Sequence, residues 1–414
     1  MKILHLSCEY PDELRPGTIV TIKRLVTCAN QFASNHVVSL HRRAVEPTQR
    51  LQRRGDHTIL CERGSLLPFR RRAFVEQCSR TILRERLADD VDLVHAHKLT
   101  TEGCIAQRLK AARGLDYCVS IRATDFAVMR QSPHRRAEFA RVLDEAARIA
   151  VIAPWMVARL SGAFKRRWTM THERKLVLLG NVVDGPLLHR QAHNDRYVMP
   201  IRVIRSQLAR KNVLRTLKCL RSLRAAGQEL QLDIIGAGSG SRALTQWVES
   251  LDLQRTVKLL GEVPNAEMIE RLSNYKAVAL FSYPETFGLV YLEALHAGIP
   301  LLYARHTGVD GLFPHFEIGV SAAHDSERRI SRALLEMEQK HAFHREEVLR
   351  LQKSGALNGF SSQAFAQRLA RQLYETEPSR RSNERSYPAA APSPNGPNEP
   401  NEPNEPNEPE QQWI

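Results

Sequence analysis

Two glutamates eight residues apart, Glu285 and Glu293, stand in the stretch Pro-Glu-Thr-Phe-Gly-Leu-Val-Tyr-Leu-Glu-Ala-Leu-His-Ala-Gly-Ile-Pro at 284–300. The apolar run from Ala277 to Phe281 reads as a buried strand, Tyr283 to Gly288 as a tight turn, and Leu289 onward as a helix. A strand-turn-helix unit of this kind points free backbone N–H groups and the positive end of a helix dipole at whatever lies over the turn, most often a phosphate. Carboxylates repel a phosphate. Glu285 in the turn and Glu293 about two helical turns later are therefore expected to border the same pocket but to face neutral hydroxyls, as a sugar or ribose offers.

The segment resembles the signature of the retaining family 4 glycosyltransferases, in which two glutamates eight apart sit in a Glu-x-Phe-Gly...Glu-Ala-x-x-x-Gly-x-Pro frame. The fixed positions are all present, as Glu285, Phe287, Gly288, Glu293, Ala294, Gly298 and Pro300. The resemblance implies a GT-B fold: two doubly wound, Rossmann-like α/β domains facing across a cleft, with a C-terminal helix crossing back onto the first. It implies that Glu285 orients the transferred sugar, that Glu293 binds the nucleotide ribose, and that the N–H groups of Thr286, Phe287, Gly288 and Leu289 cap the donor.

The same family carries an Arg and a Lys that bind the donor diphosphate. Arg205 and Lys211, in Val-Ile-Arg-Ser-Gln-Leu-Ala-Arg-Lys-Asn, match that element with Ile204 and Asn212 in place of its glycines, and Arg210 is adjacent. Cations there stabilise the leaving nucleotide as charge develops. Gly236-Ala237-Gly238-Ser239-Gly240 has the look of a dinucleotide fingerprint, but its third glycine is one place early and no ribose-binding acid completes it. In the family such a turn lines the nucleotide site, which makes Gly236 and Gly238 donor-binding positions and leaves NAD out.

Acceptor-side elements are looser. Gly17, in Arg-Pro-Gly-Thr, stands where the family often has a Gly-Gly turn. Val94-His95-Ala96-His97 resembles its Val-His-x-His element, and Ser120 to Asp125 its His-Gly-x-Asp element, with Arg122 in place of the histidine and Asp125 kept. An arginine suits an anionic group on the acceptor. Asp90-Val91-Asp92 spells the metal-binding Asp-x-Asp of other glycosyltransferases, yet it precedes a strand instead of ending one, so no metal and no cofactor is expected beyond the NDP-sugar co-substrate.

The elements that must position these residues alternate twice along the chain. Strands are predicted at Lys2–Leu6, His36–Leu40, Thr58–Cys61, Leu93–Ala96, Tyr117–Ile121 and Ile149–Ala153, and again at Val198–Ile204, Leu232–Ile235, Val257–Leu260, Ala277–Phe281 and Pro300–Tyr303. Continuous apolar strands separated by helices mean parallel sheets covered on both faces, with ligands beyond the carboxyl ends of the strands. The expected organisation is an acceptor-binding domain over 1–188, a nucleotide-sugar domain over 196–355, a crossover helix over 356–376, and a tail over 377–414. In the tail Asn-Glu-Pro repeats four times from Asn398 to Pro409, a composition that cannot bury a core and is expected to be disordered.

Composition supports a large enzyme: 414 residues exceed one ordinary core. The seven cysteines are dispersed without Cys-x-x-Cys spacing, as reduced cytosolic thiols would be. No apolar run suggests a signal peptide or a membrane span, so a cytoplasmic protein is expected. The net charge is +15, and because residues 391–414 hold five glutamates and no Lys or Arg, the remainder carries +20. Basic clusters in the first half, among them His134-Arg135-Arg136 and Lys165-Arg166-Arg167, point to peripheral contact with an anionic membrane face or a lipid-phosphate acceptor. Aromatic residues are few and no nucleic-acid motif accompanies the clusters, so no nucleic-acid partner is expected. The expected activity is metal-independent, retaining transfer of a hexose-type sugar from an NDP-sugar to a hydroxyl of a glycan or lipid-linked acceptor, in bacterial exopolysaccharide, capsule or lipopolysaccharide assembly. The rival is an inactive sugar-nucleotide or polysaccharide-binding regulator of the same fold, suggested by the lost glycines and Arg122.

Overall fold

Runs such as Ile3-Leu4-His5-Leu6 and Ala277-Val278-Ala279-Leu280 have every residue buried, which happens only when a strand is flanked by neighbours and covered on both faces. The computed structural model describes residues 1–15, 20–45, 47–64, 71–189, 194–201 and 203–375. The Asn-Glu-Pro tail and Gly17 lie outside them.

The first sheet contains β1 (Lys2–Ser7), β2 (Ser34–Arg43), β3 (Leu51–Arg54), β4 (His57–Arg63), β5 (Leu93–Ala96), β6 (Tyr117–Ile121), β7 (Arg148–Val151) and β8 (Leu176–Leu178). Their order is β3-β4-β2-β1-β5-β6-β7-β8, parallel throughout except for the antiparallel edge strand β3. The second sheet contains β9 (Tyr197–Pro200), β10 (Leu232–Ile235), β11 (Val257–Leu259), β12 (Ala277–Leu280), β13 (Leu301–Ala304) and β14 (Gly319–Ala322), in the order β11-β10-β9-β12-β13-β14 and wholly parallel.

Each sheet reverses direction once, between β1 and β5 in the first and between β9 and β12 in the second. Loops leaving the two central strands at such a point diverge to opposite faces and open a crevice at the carboxyl ends. β9 is shorter than its sequence suggests. It stops at Pro200 rather than continuing to Ile204: proline offers the ladder no N–H, and the Val203 N–H bonds the Ala237 carbonyl in the glycine loop after β10.

The last described segment does cross over. Phe365, Ala366, Leu369, Leu373 and Tyr374 form one core with Ile3, Leu25, Cys28, Leu93, Cys118, Ala150 and Val177 of the first domain. Residues 1–375 thus form one compact unit. All seven cysteines are unpaired, and six of them are buried.

Candidate active site

The crevice between β9 and β12 brings Lys211 and Glu285 together. Lys211 lies just before the helix Val213–Ala225 and Glu285 in the turn after β12, and the lysine Nζ is 2.7 Å from the carboxylate Oε2. A main-chain bond fastens the two loops, the Tyr283 N–H donating to the Arg210 carbonyl at 2.8 Å. Asn212, standing where the family has glycine, adopts φ 58°, a left-handed conformation that asparagine tolerates better than most residues. The turn therefore survives the loss of glycine.

Glu285 is held from four sides. Ser282 Oγ donates to Oε2 at 2.9 Å, and the Thr286 N–H donates to Oε1 at 3.1 Å. Thr307 Oγ1, in the loop after β13, accepts from the Glu285 N–H at 2.7 Å, and the Gly308 N–H donates to the Glu285 carbonyl at 2.9 Å. Burial alone pushes this carboxyl up, but the Lys211 ammonium and the nearby Arg210 outweigh it and hold the group below its ordinary range. Glu285 is an oriented anion with Lys211 beside it.

The glycines after β10 serve close packing. A Cβ on Gly236 would lie 1.8 Å from the Ile201 carbonyl oxygen, and one on Gly238 2.5 Å from that of Val203. The loop thereby sits directly on the 201–204 segment, with Gly240 N–H donating to Val203 O at 2.8 Å, and supports Arg205 from behind. Arg205 is exposed at the start of the short helix Arg205–Leu208. Gly288, at φ 76°, caps the helix Leu289–His296, and a Cβ there would press on Tyr291. Glu293, in the second turn of that helix, is partly exposed. Burial raises its carboxyl above the ordinary value, and Arg24 of the helix Val20–Ala29 moderates the shift from the first domain.

Two members of the expected donor cap do other work. The Thr286 N–H is taken by the Glu285 carboxylate, so it is not free for a ligand. Phe287 is buried against Phe360, ring centroids 6.0 Å apart, and braces the turn from below instead of lining a pocket.

The first domain departs further from expectation. His95 is buried, its two ring nitrogens bonded to Tyr374 Oη at 2.7 Å and Ser120 Oγ at 2.8 Å. His97 is equally buried and bonds His5 at 3.0 Å, which in turn bonds Asn35 at 2.8 Å. Burial keeps all three histidines neutral, with His5 lowered to about 4 and the others lowered well below the usual value. Asp125 is fully enclosed: it accepts from the Thr100 N–H at 3.0 Å, Thr100 Oγ1 at 2.8 Å and the Arg122 N–H at 2.9 Å. These groups tie loops together and do not face an acceptor. Arg122 is also buried, and its Nε has no partner among the described residues.

Residues that sequence reasoning passed over connect the two domains. Trp155 Nε1 donates to the Thr286 carbonyl at 3.3 Å, and Arg159 Nη1 to the Tyr283 hydroxyl at 2.9 Å. Trp155 opens the helix Trp155–Phe164, which follows β7, and Arg159 lies one turn further in; the position of this helix just beyond a strand's carboxyl end was the available signal. Asp92 meanwhile accepts from the Lys2 N–H at 2.7 Å, at the opposite edge of the first sheet, far from any crevice that a metal would share with the donor.

Residues 200–356 match the family model described as "Glycosyl transferases group 1". The chain is similar to an uncharacterized glycosyltransferase of Bacillus subtilis (strain 168), YqgM, with 23% identity over 318 residues, 74% of this chain and 79% of that one. Among solved structures it is similar to sucrose-phosphate synthase of Thermosynechococcus elongatus (TM-score 0.65, 16% identity, 89% of this chain and 97% of the other). It is also similar to HepE of Anabaena in complex with UDP (TM-score 0.60, 15% identity, 89% and 98%). At these identities the solved structures establish the fold, and the family match runs from the end of β9 through β14, across the loops that carry Lys211 and Glu285. The chain has the GT-B fold, and the match of its second domain to the group 1 model marks it as a glycosyltransferase enzyme.

Proposed function

We propose that this enzyme is a retaining, metal-independent glycosyltransferase that moves a hexose-type sugar from an NDP-sugar to a hydroxyl of a glycan or lipid-linked acceptor. The observation that carries the reading is the Lys211–Glu285 pair, set at the carboxyl-end crevice of the second sheet inside the family's glutamate frame. Lys211 and Arg205 hold the diphosphate, Glu293 the ribose, and Gly288 lets the backbone approach the donor closely. Glu285 orients the sugar and supports the oxocarbenium-like centre. The bond from C1 to the diphosphate oxygen breaks, the acceptor oxygen bonds C1 on the same face, and its proton passes to the departing phosphate. Arg205 and Lys211 stabilise the charge that grows on the nucleotide. The chemistry suits bacterial exopolysaccharide, capsule or lipopolysaccharide assembly, at the cytoplasmic side of the membrane.

HepE's complexes with UDP, without and with glucose, make uridine nucleotides the first to try. Thermal shift with UDP-, GDP- and ADP-sugars identifies the donor: a ligand present at a hundred times its Kd adds about 2.7 kcal/mol to stability. Turnover of that donor, including slow hydrolysis, is expected in EDTA. An absence of turnover with every NDP-sugar, or activity lost to EDTA and restored by magnesium, refutes the reading.

A further inference from the structure

A pocket of about 410 Å³ opens beside the donor turn, between the helices Ala123–Gln131 and Trp155–Phe164 of the first domain and the Tyr283-Pro284 step of the second. Pro284, which lines it, immediately precedes Glu285, so the pocket borders the turn that carries the carboxylate assigned to the donor sugar. Its inner wall is apolar, built on the buried side chains of Phe126, Met129 and Trp155.

Its rim is cationic. Arg130, Arg136 and Arg159 line it, all exposed, and no acidic residue does so among the described residues. Arg159 is fixed there: its guanidinium lies 5.6 Å from the ring centroid of Phe126, 6.0 Å from that of Trp155 and 5.9 Å from that of Tyr283, besides donating to the Tyr283 hydroxyl. That bond uses one of five N–H donors, leaving the rest for an anion.

The surface around the mouth continues the same pattern. The helix from Trp155 runs directly into the exposed Lys165-Arg166-Arg167, and exposed Met170 follows. A water-soluble anion has no use for the apolar wall, and a neutral lipid none for the arginines. An amphiphile with a phosphate at its head uses both, and the basic turn beyond the mouth meets the anionic surface in which such a molecule is dissolved.

We propose that this pocket binds the phosphate-bearing head and the first part of the apolar chain of a membrane-lipid-linked acceptor. The inference rests on the glycosyltransferase reading and adds the acceptor's chemical class and its contact residues. Isothermal titration of the full chain with decyl phosphate below its micelle concentration, with decanol, and with inorganic phosphate tests it, UDP binding on the same samples serving as the control for folding. Decyl phosphate is expected to bind at least tenfold more tightly than either of the others. Ala127→Trp, which fills the pocket from an exposed helical position, and the pair Arg136→Ala with Arg159→Ala are each expected to weaken it at least tenfold. Equal affinity for the three ligands, or affinity unmoved by both variants, overturns the pocket assignment even where hydrolysis of an NDP-sugar proceeds. Failure to turn over any NDP-sugar while decyl phosphate still binds as expected strikes the transferase reading instead, and leaves the pocket's ligand class supported.

Discussion

The two sheets share a plan and spend it differently. Both reverse their strand order once, and in both the residues with chemical character sit at or after the carboxyl ends of the strands near that point. In the second domain Lys211 and Glu285 keep 14% and 12% of their side-chain surface open to the crevice. In the first, His95, His97 and Asp125 keep none. A polar residue at a strand's end is thus not committed to the cleft: where its neighbours supply enough bonds it becomes part of the frame, and where they leave a charge half-open it remains available to a ligand. The second domain opens a charged pair to its crevice. The first presents an apolar pocket rimmed by arginines in its place.

Breaking the open pair is expected to have the largest effect. Glu285→Gln keeps the shape, removes the charge facing the sugar, and leaves Lys211 without its counter-ion. Transfer should fall about a thousandfold, some 4 kcal/mol of lost transition-state stabilisation, with UDP affinity by calorimetry nearly unchanged. Near wild-type transfer would remove Glu285 from the reaction.

The enclosed histidines should reveal themselves through acid. An unfolded histidine takes up a proton near pH 6.5, whereas folded His5 waits until about 4, and His95 and His97 are shifted the same way by burial. Between those values the unfolded chain holds more protons, so stability falls as pH drops, by about 1.4 kcal/mol per pH unit for each histidine. Glu285, held low, withdraws its contribution only in more acid solution. Urea unfolding at pH 7.5, 6 and 5 should show the loss, and His5→Gln should lessen its slope.

Asp125→Ala should reduce stability by about 3 kcal/mol, because it strands the Thr100 and Arg122 donors in a buried site. Denaturant melts measure this, and if Asp125 contacted acceptor directly the acceptor KM would rise instead of the midpoint falling. Glu293→Gln should have the smallest effect, raising the donor KM about thirtyfold, some 2 kcal/mol, with little change in kcat.

Much of the second site was legible because its signals are local. The Phe-Gly frame, the eight-residue spacing of the glutamates and the Arg and Lys after β9 are each read within a short stretch of chain, and the fold brings Lys211 against Glu285. The first site was less so, since nothing in Val94-His95-Ala96-His97 says that both histidines are sealed: every residue of β5 is buried, which erases the alternation that would tell one face from the other. Tyr374, the partner of His95, is 279 residues away. Strands of weak character were also missed, β3 because Leu-Gln-Arg-Arg is a polar edge, β8 because it has three residues, and β14 because Gly-Val-Ser-Ala is built from small ones. Trp155 and Arg159 belong to no motif, and their hydrogen-bond partners Thr286 and Tyr283 lie more than a hundred residues further along the chain.

The closing of the first domain by Phe365, Leu369, Leu373 and Tyr374 has a bearing on the protein's birth. A chain emerging from the ribosome can lay down β1, β5, β6 and β7 long before those residues are made. Until then the apolar patch formed by Ile3, Leu25, Ala150 and Val177 stays uncovered, although the strands around it are already paired. Such a surface invites association with other nascent chains, so the interval between synthesis of the first domain and arrival of residue 374 is when the enzyme most needs a chaperone.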